Sequence, residues 1–182
     1  MSTGEFHLNY SREEDRIYVF VRDDEGVEHA FALTRHLFKN LWPALGKTVQ
    51  AMCEAAQRSP AAMIGEVLSM MRENAVSQAR ESGALSNKKL PTAESRVVYL
   101  TRKVQIADGP KGGKLLILTD GEKRIQIPMN FERLIVFCDA LKTIVEKTTW
   151  DLKLAYPWEA VAQRKPGVAA AGKPSDEPST QH

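Results

Sequence analysis

The chain lacks most of what membrane proteins, secreted proteins and enzymes display. Its longest uninterrupted apolar stretch, Leu134 to Cys138, is about five residues, whereas a bilayer-spanning helix needs about 20. The opening MSTGEFHLNY has no basic region followed by an apolar stretch, so it does not read as a secretory signal. Cysteine is scarce: Cys53 and Cys138 both fall in helical patterns and read as buried free thiols in a reducing cytosol. No paired-cysteine motif supports a structural zinc. His7, His29, His36 and His182 show no metal-ligand spacing and read as surface or half-buried structural residues. The loop Gly109-Pro-Lys-Gly-Gly113 lacks the Gly-Lys-Ser/Thr ending of a phosphate cradle and does not pass from a strand into a helix, so it reads as a hairpin loop. Glu13-Glu14-Asp15 and Asp23-Asp24-Glu25 lack the spacing of a calcium loop and read as solvated turn acids. These absences point away from an enzyme, and neither a metal nor a cofactor is expected.

What is present suits a globular protein. The 182 residues are 43% apolar and 26% charged, enough for one sizeable core. The net charge of +2 conceals an asymmetry. Residues 1–34 carry three basic against eight acidic side chains, a balance of −5. Residues 86–125 carry nine basic against four acidic, a balance of +5. A sign asymmetry of this kind bears on partners rather than on fold.

The hydrophobic skeleton repeats. Shifting residues 6–57 by 96 positions places Phe31 on Ile127, Leu33 on Met129, Phe38 on Leu134 and Leu41 on Phe137. The same shift aligns Ala44-Leu45 with Ala140-Leu141 and Val49 with Val145. In the first copy, a short strand at 6–11 precedes Arg16–Arg22, with Ile17, Val19 and Val21 on one face and Tyr18 and Phe20 on the other. A turn with Gly26 at the positive-φ position leads to a strand at Val27–Thr34, and Thr34 can cap the next helix. That helix has the stripe Leu37, Phe38, Leu41, Leu45, Val49 and Met52, with a kink or break expected near Trp42 because Pro43 removes a donor. Ser59-Pro60 starts a second helix with an apolar face of Met63, Ile64, Val67, Leu68, Met70 and Met71; Gly83 ends it, and Ser86–Thr92 follows as a basic loop. The second copy opens with one long strand, Arg96 to Ala107, with Val98, Leu100, Val104 and Ile106 sharing the core face. Strands at Leu115–Thr119 and Arg124–Met129 flank the turn Asp120-Gly121, and Asn130 caps a last helix reaching about Trp150. The expected fold is therefore α+β: two strand-turn-strand-helix repeats, antiparallel sheets packed on helices, joined by an additional helix. The expected organisation is a first acidic repeat at 1–57, a linking helix and basic loop at 58–95, a second basic repeat at 96–158, and a disordered tail at 159–182.

The face of the long strand opposite its core set carries Tyr99, Thr101, Lys103 and Gln105, and the last strand adds Arg124 and Gln126. Arg102, Lys111, Lys114 and Lys123 lie beside them. Cations for phosphates and a flat ring for bases are what single-stranded nucleic acid requires, although an ordinary solvated sheet face has a similar composition. The stretch KLLILTDGEKRIQIPMNFERLIVFCDALKTIVEK, Lys114 to Lys147, resembles the strand–strand–Pro–helix ending of repeats in PUR-type single-stranded nucleic-acid-binding proteins. Gly112-Gly113-Lys114-Leu115 is a loose counterpart of their Asn-x-x-Gly-Arg-Phe core. The element order is also similar to that of the Whirly proteins. The resemblance covers about a third of the chain, and the acidic first copy departs from it. It implies a non-enzymatic protein contacting single-stranded DNA or RNA through the second sheet, with Tyr99 stacking and Arg102, Lys103, Lys111, Lys114, Lys123, Arg124 and Gln126 around it. The alternative is an assembly or adaptor factor, dimeric or docked on an acidic partner, whose oppositely charged repeats mediate association. A cytoplasmic location suits either.

Overall fold

A computed structural model describes residues 6–23, 25–56, 64–81 and 97–156. Three strands, β1 (Phe6–Ser11), β2 (Arg16–Arg22) and β3 (Glu28–Leu33), form an antiparallel meander followed by helix α1 (Arg35–Ala56). After α2 (Ile64–Glu81) come β4 (Val97–Leu100), β5 (Lys103–Asp108), β6 (Lys114–Thr119), β7 (Arg124–Met129) and α3 (Phe131–Val145). The protein is thus mixed α+β, with two sheets and three helices among the described residues. One sheet has the order β1-β2-β3-β4 and the other β5-β6-β7.

Local chemistry explains the turns and caps. Asp23 Oδ1 accepts from the backbone N–H groups of Glu25 (3.0 Å) and Val27 (2.9 Å), and Gly26 takes φ +82° at the β2–β3 turn. The Leu37 N–H donates to Thr34 Oγ1 (3.3 Å) at the start of α1, and the Arg133 N–H donates to Asn130 Oδ1 (2.8 Å) at the start of α3. Of the kink or break expected near Trp42, the break does not occur: helix α1 runs continuously through Pro43. Pro43 and Lys39 are both exposed, so the Lys39 carbonyl released by the missing donor faces water.

The inner faces of both sheets share one core with α1 and α3. Ile17, Val19, Val21, Phe31 and Leu33 from the first sheet meet Leu116, Leu118, Ile125, Ile127 and Met129 from the second. Phe38, Leu41, Trp42, Leu45, Val49 and Cys53 of α1 and Leu134, Phe137, Cys138, Leu141 and Val145 of α3 complete it. Six of the seven apolar pairs matched by the offset of 96, from Phe31 and Ile127 to Val49 and Val145, are buried at both positions, whereas Ala44 is exposed and Ala140 half-buried.

Three elements differ from expectation. The long strand is divided at Thr101–Arg102: the Thr101 N–H donates to the Ala32 carbonyl (3.1 Å) in the first sheet, and the Arg102 N–H to the Thr119 carbonyl (2.9 Å) in the second. β4 lies parallel on β3, while β5 lies antiparallel on β6. Because the chain crosses from one side of the core to the other, the side of the strand facing inward reverses. Val97 and Tyr99 therefore follow the inward phase of Phe31, whereas Val98 and Leu100 point out and are 53% and 45% exposed. Only Val104 and Ile106 of the expected core set pack on the core.

In α2, Met70 is exposed and Met71 half-buried, and the buried residues are Ala75, Val76 and Ala79. Small residues there bring α2 close to α3. Arg72 of α2 donates through Nε to buried Asp139 of α3 (2.8 Å), which also accepts from the Tyr156 hydroxyl (2.7 Å). Met63, the side chains of Ile64, Val67 and Leu68, the helix start at Ser59-Pro60, Gly83, the loop 86–92 and the tail 159–182 lie outside the described residues.

The last helix ends at Val145 rather than near Trp150. Thr148 Oγ1 donates to the Val145 carbonyl (2.8 Å) and accepts from the Trp150 N–H (3.1 Å), which competes with helix continuation. Trp150 is then fully buried against Phe38, with ring centroids 5.6 Å apart. Its Nε1–H donates to Asp15 Oδ1 (2.9 Å), which also accepts from Tyr10 (2.6 Å) and Thr149 (3.1 Å). This carboxylate ties the β1–β2 turn to the chain beyond α3.

Candidate nucleic-acid interface

The outer face of the second sheet is built in three cross-strand rungs. Register places Lys103, Thr119 and Arg124 side by side, then Gln105, Ile117 and Gln126, then Ala107, Leu115 and Pro128. The period-two alternation of β5 and β7 puts Lys103, Gln105, Arg124 and Gln126 in solvent. Ile117 sits between the two glutamines and is only 4% exposed despite facing outward. With neighbouring strands about 4.8 Å apart, the two cations of the first rung stand roughly 10 Å apart across Thr119.

The β6–β7 hairpin holds two more cations at this end. Asp120 Oδ1 accepts from the backbone N–H groups of Glu122 (3.0 Å) and Lys123 (2.8 Å), and Thr119 Oγ1 donates to the Lys123 carbonyl (2.8 Å). Gly121 takes φ +113°, and a Cβ there would come within 3.9 Å of Arg102 Nη1, so the guanidinium lies over the hairpin. Arg102, Lys103, Lys123 and Arg124 thus gather at one end of the sheet. None of the four forms an ion pair among the described residues. Two acidic residues share the hairpin: Asp120, whose Oδ1 accepts from turn amides, and the exposed Glu122 directly before Lys123.

The other expected site residues do not join this cluster. Tyr99 is on the first sheet, in the inward phase, with its ring stacked on Phe31 (centroids 5.1 Å apart, planes 25°) and 5.9 Å from His29. The reversal at Thr101–Arg102 separates it from Lys103 and Gln105, and Thr101 itself is buried. Lys114 begins β6, five residues from Thr119 and so roughly 17 Å along the strand. It is paired with Asp108, whose carboxyl it holds below the usual range. The side chain of Lys111 lies outside the described residues.

Aromatic rings occur on the outer face of the first sheet instead, where Phe20 stacks with His7 (4.8 Å, 12°) and Tyr18 (6.0 Å, 29°). Phe20 is 1% exposed, so its ring faces are not open for stacking. The alternation of Tyr18 and Phe20 against Ile17, Val19 and Val21 shows which face they share; their stacking with His7 depends on the pairing of β1 with β2.

The remaining reactive groups are committed to structure. His29 is buried, with Nε2 2.6 Å from Asp23 Oδ2, and this bond lowers the Asp23 pKa. His7 Nε2 is 3.4 Å from Glu28 Oε1. Burial raises the thiol pKa values of Cys53 and Cys138, so neither is an activated thiolate. Among the described residues, no group of three His, Cys, Asp or Glu side chains is placed to hold a metal ion, and no helix is long and apolar enough to cross a membrane. No protein-family model, curated protein or solved structure matches the chain.

Proposed function

We propose that the protein is a non-enzymatic binding protein whose second sheet contacts single-stranded DNA or RNA. The observation that carries this reading is the cationic end of that sheet: Arg102, Lys103, Lys123 and Arg124 are gathered without an ion-pair partner among the described residues. Unpaired cations about two strand spacings apart are suited to a flexible polyanion, whose phosphates can adjust to them. The adjoining rung supplies the amides of Gln105 and Gln126, which can donate to and accept from base edges. Tyr99, stacked on Phe31 in the first sheet, is not part of this surface and has no base-stacking role in the proposal.

The two strand-helix units are, in this proposal, copies of one strand-turn-strand-helix repeat joined by α2. The matched buried pairs support the duplication, as does the common succession of an antiparallel meander and a helix. The resemblance to PUR-type repeats supports the ligand class. A cytoplasmic site of action fits the two free, buried thiols.

Fluorescence anisotropy with labelled single-stranded DNA and RNA oligomers tests the reading. Binding is expected below about 100 μM at low salt and should weaken with salt, with a logarithmic slope of about −3 if four phosphates are neutralised. Absence of binding in that range contradicts it. Tight binding to an acidic polypeptide with none to oligonucleotides would instead establish the assembly alternative.

A further inference from the structure

The outer face of the second sheet is graded along its strands. The rung of Lys103, Thr119 and Arg124 carries cations, the rung of Gln105, Ile117 and Gln126 carries amides, and the rung of Ala107, Leu115 and Pro128 is apolar. Among the described side chains, the cation at the far end, Lys114, is paired with Asp108. A strand of nucleic acid laid along this face would meet unpaired cations at one end and none under its following phosphates.

The cations converge instead of lining a path. Arg102 lies over the hairpin, with Nη1 3.9 Å from the place of a Cβ on Gly121. Lys103 and Arg124 flank Thr119, whose Oγ1 donates to the Lys123 carbonyl (2.8 Å) and accepts from the Gly121 N–H (3.1 Å). This short side chain is committed to the hairpin and to neither cation. The first sheet shows that side chains at such positions reach one another over the middle strand. At the offset of 96, Lys103 and Arg124 correspond to His7 and Glu28, whose Nε2 and Oε1 are 3.4 Å apart across β2. In the second sheet both positions are cationic, so only an anion can join them. Asp120 and Glu122 offset two of the four cations gathered there, which leaves a balance of +2.

We propose that this end of the sheet holds the terminal phosphate of the single strand, a phosphate monoester, with the base of the same nucleotide at the rung of Gln105 and Gln126 about 7 Å further along. A monoester carries about −1.5 to −2 at pH 7 on three acceptor oxygens, whereas each internal phosphodiester carries one charge. It therefore suits a doubly positive cluster at one point, and the guanidinium groups of Arg102 and Arg124 present paired donors to its oxygens. This inference rests on the single-strand reading and adds that the site takes the end of the strand.

Anisotropy with three internally labelled oligomers of one sequence tests it: one with a 5′-phosphate, one with a 3′-phosphate and one with hydroxyls at both ends. One of the phosphorylated oligomers should bind about 10-fold more tightly than the hydroxyl-ended one, the worth of one charge-assisted hydrogen bond. Lys103→Gln and Arg124→Gln, both at exposed positions, should each narrow that preference to about 3-fold or less, while Lys47→Gln on α1 should keep it whole. Equal wild-type affinity for all three oligomers, or a preference undiminished in the folded Lys103 and Arg124 variants, overturns this inference and leaves the single-strand reading standing. Absence of binding by every oligomer overturns both. A nucleoside monophosphate that displaces the oligomer at the oligomer's own concentration would make a free nucleotide the ligand, and overturns the strand end.

Discussion

At the scale of single residues, two side chains at the joints of the fold have measurable consequences. Thr101 sits where the chain leaves one sheet for the other; its side chain is buried, and its Oγ1 has no hydrogen-bond partner among the described residues. A buried hydroxyl without a partner costs about 1–3 kcal/mol. Thr101→Val keeps the β-branched shape and removes that group, so urea denaturation should show a gain of about 1 kcal/mol; an equal loss would mean that the hydroxyl is satisfied in solution. Asp15 is the second case. Its pKa is lowered from 3.8, chiefly by the Tyr10 hydroxyl, with Thr149 and Trp150 also donating. A carboxyl depressed in the folded state stabilises the protein above its unfolded pKa, and that contribution is lost as pH falls through the folded value. Asp15→Asn tolerates the same positive φ of 52°. It should lower Tm at pH 7 and flatten the fall of Tm below about pH 4; an acid limb as steep as wild type would show that the Asp15 carboxylate does not contribute.

The elements differ in how fully the sequence discloses them. The stripes of α1 and α3 are legible because a 3.6-residue period fixes which side chains share a face, and most expected positions are buried, with Leu37, Met52 and Ile144 half-buried. Leu45 and Leu141, matched by the offset of 96, are both fully buried. Leu45→Ala and Leu141→Ala should therefore each cost about 2–5 kcal/mol in urea denaturation, while Lys47→Ala, on the exposed side of α1, should change stability by less than about 0.5 kcal/mol. A neutral result at either leucine would contradict the shared core. The strand at 97–108 is legible only in part. Alternation identifies two sets of side chains, but the set that faces inward depends on which side of the core the strand occupies. Residues 97–108 occupy both sides in turn, so a single alternation puts Val98 and Leu100 inward and Tyr99 outward, the reverse of their positions. In α2, methionines made a plausible core face, whereas alanines make the described contact because they permit closer packing with α3.

For the whole molecule, composition disclosed a charge asymmetry but not its geometry. The basic residues from 102 to 124 are spread over 23 positions of sequence, and the β5-β6-β7 register gathers four of them at one end of a sheet. Lys114 was indistinguishable from these in the sequence because its partner Asp108 lies across a loop whose closure is a tertiary property. The ring stack of His7, Tyr18 and Phe20 lies on the other sheet, so it does not share a surface with the four gathered cations. Contact with a polyanion must then rest on charge and amides rather than on base stacking, which predicts marked salt dependence and weak base preference.

The most direct test is a comparison of two charge reversals in one titration with labelled single-stranded oligomers at low salt. Lys103→Glu with Arg124→Glu reverses the cationic rung of the second sheet; Arg16→Glu with Arg22→Glu makes the same charge change on the first. Both variants should retain the wild-type circular dichroism. The first should abolish binding, a loss of about 100-fold or more given four charges changed by the two reversals, and the second should leave most of it. Equal loss in both folded variants, or binding that survives reversal of Lys103 and Arg124, would contradict the second sheet as the contact surface.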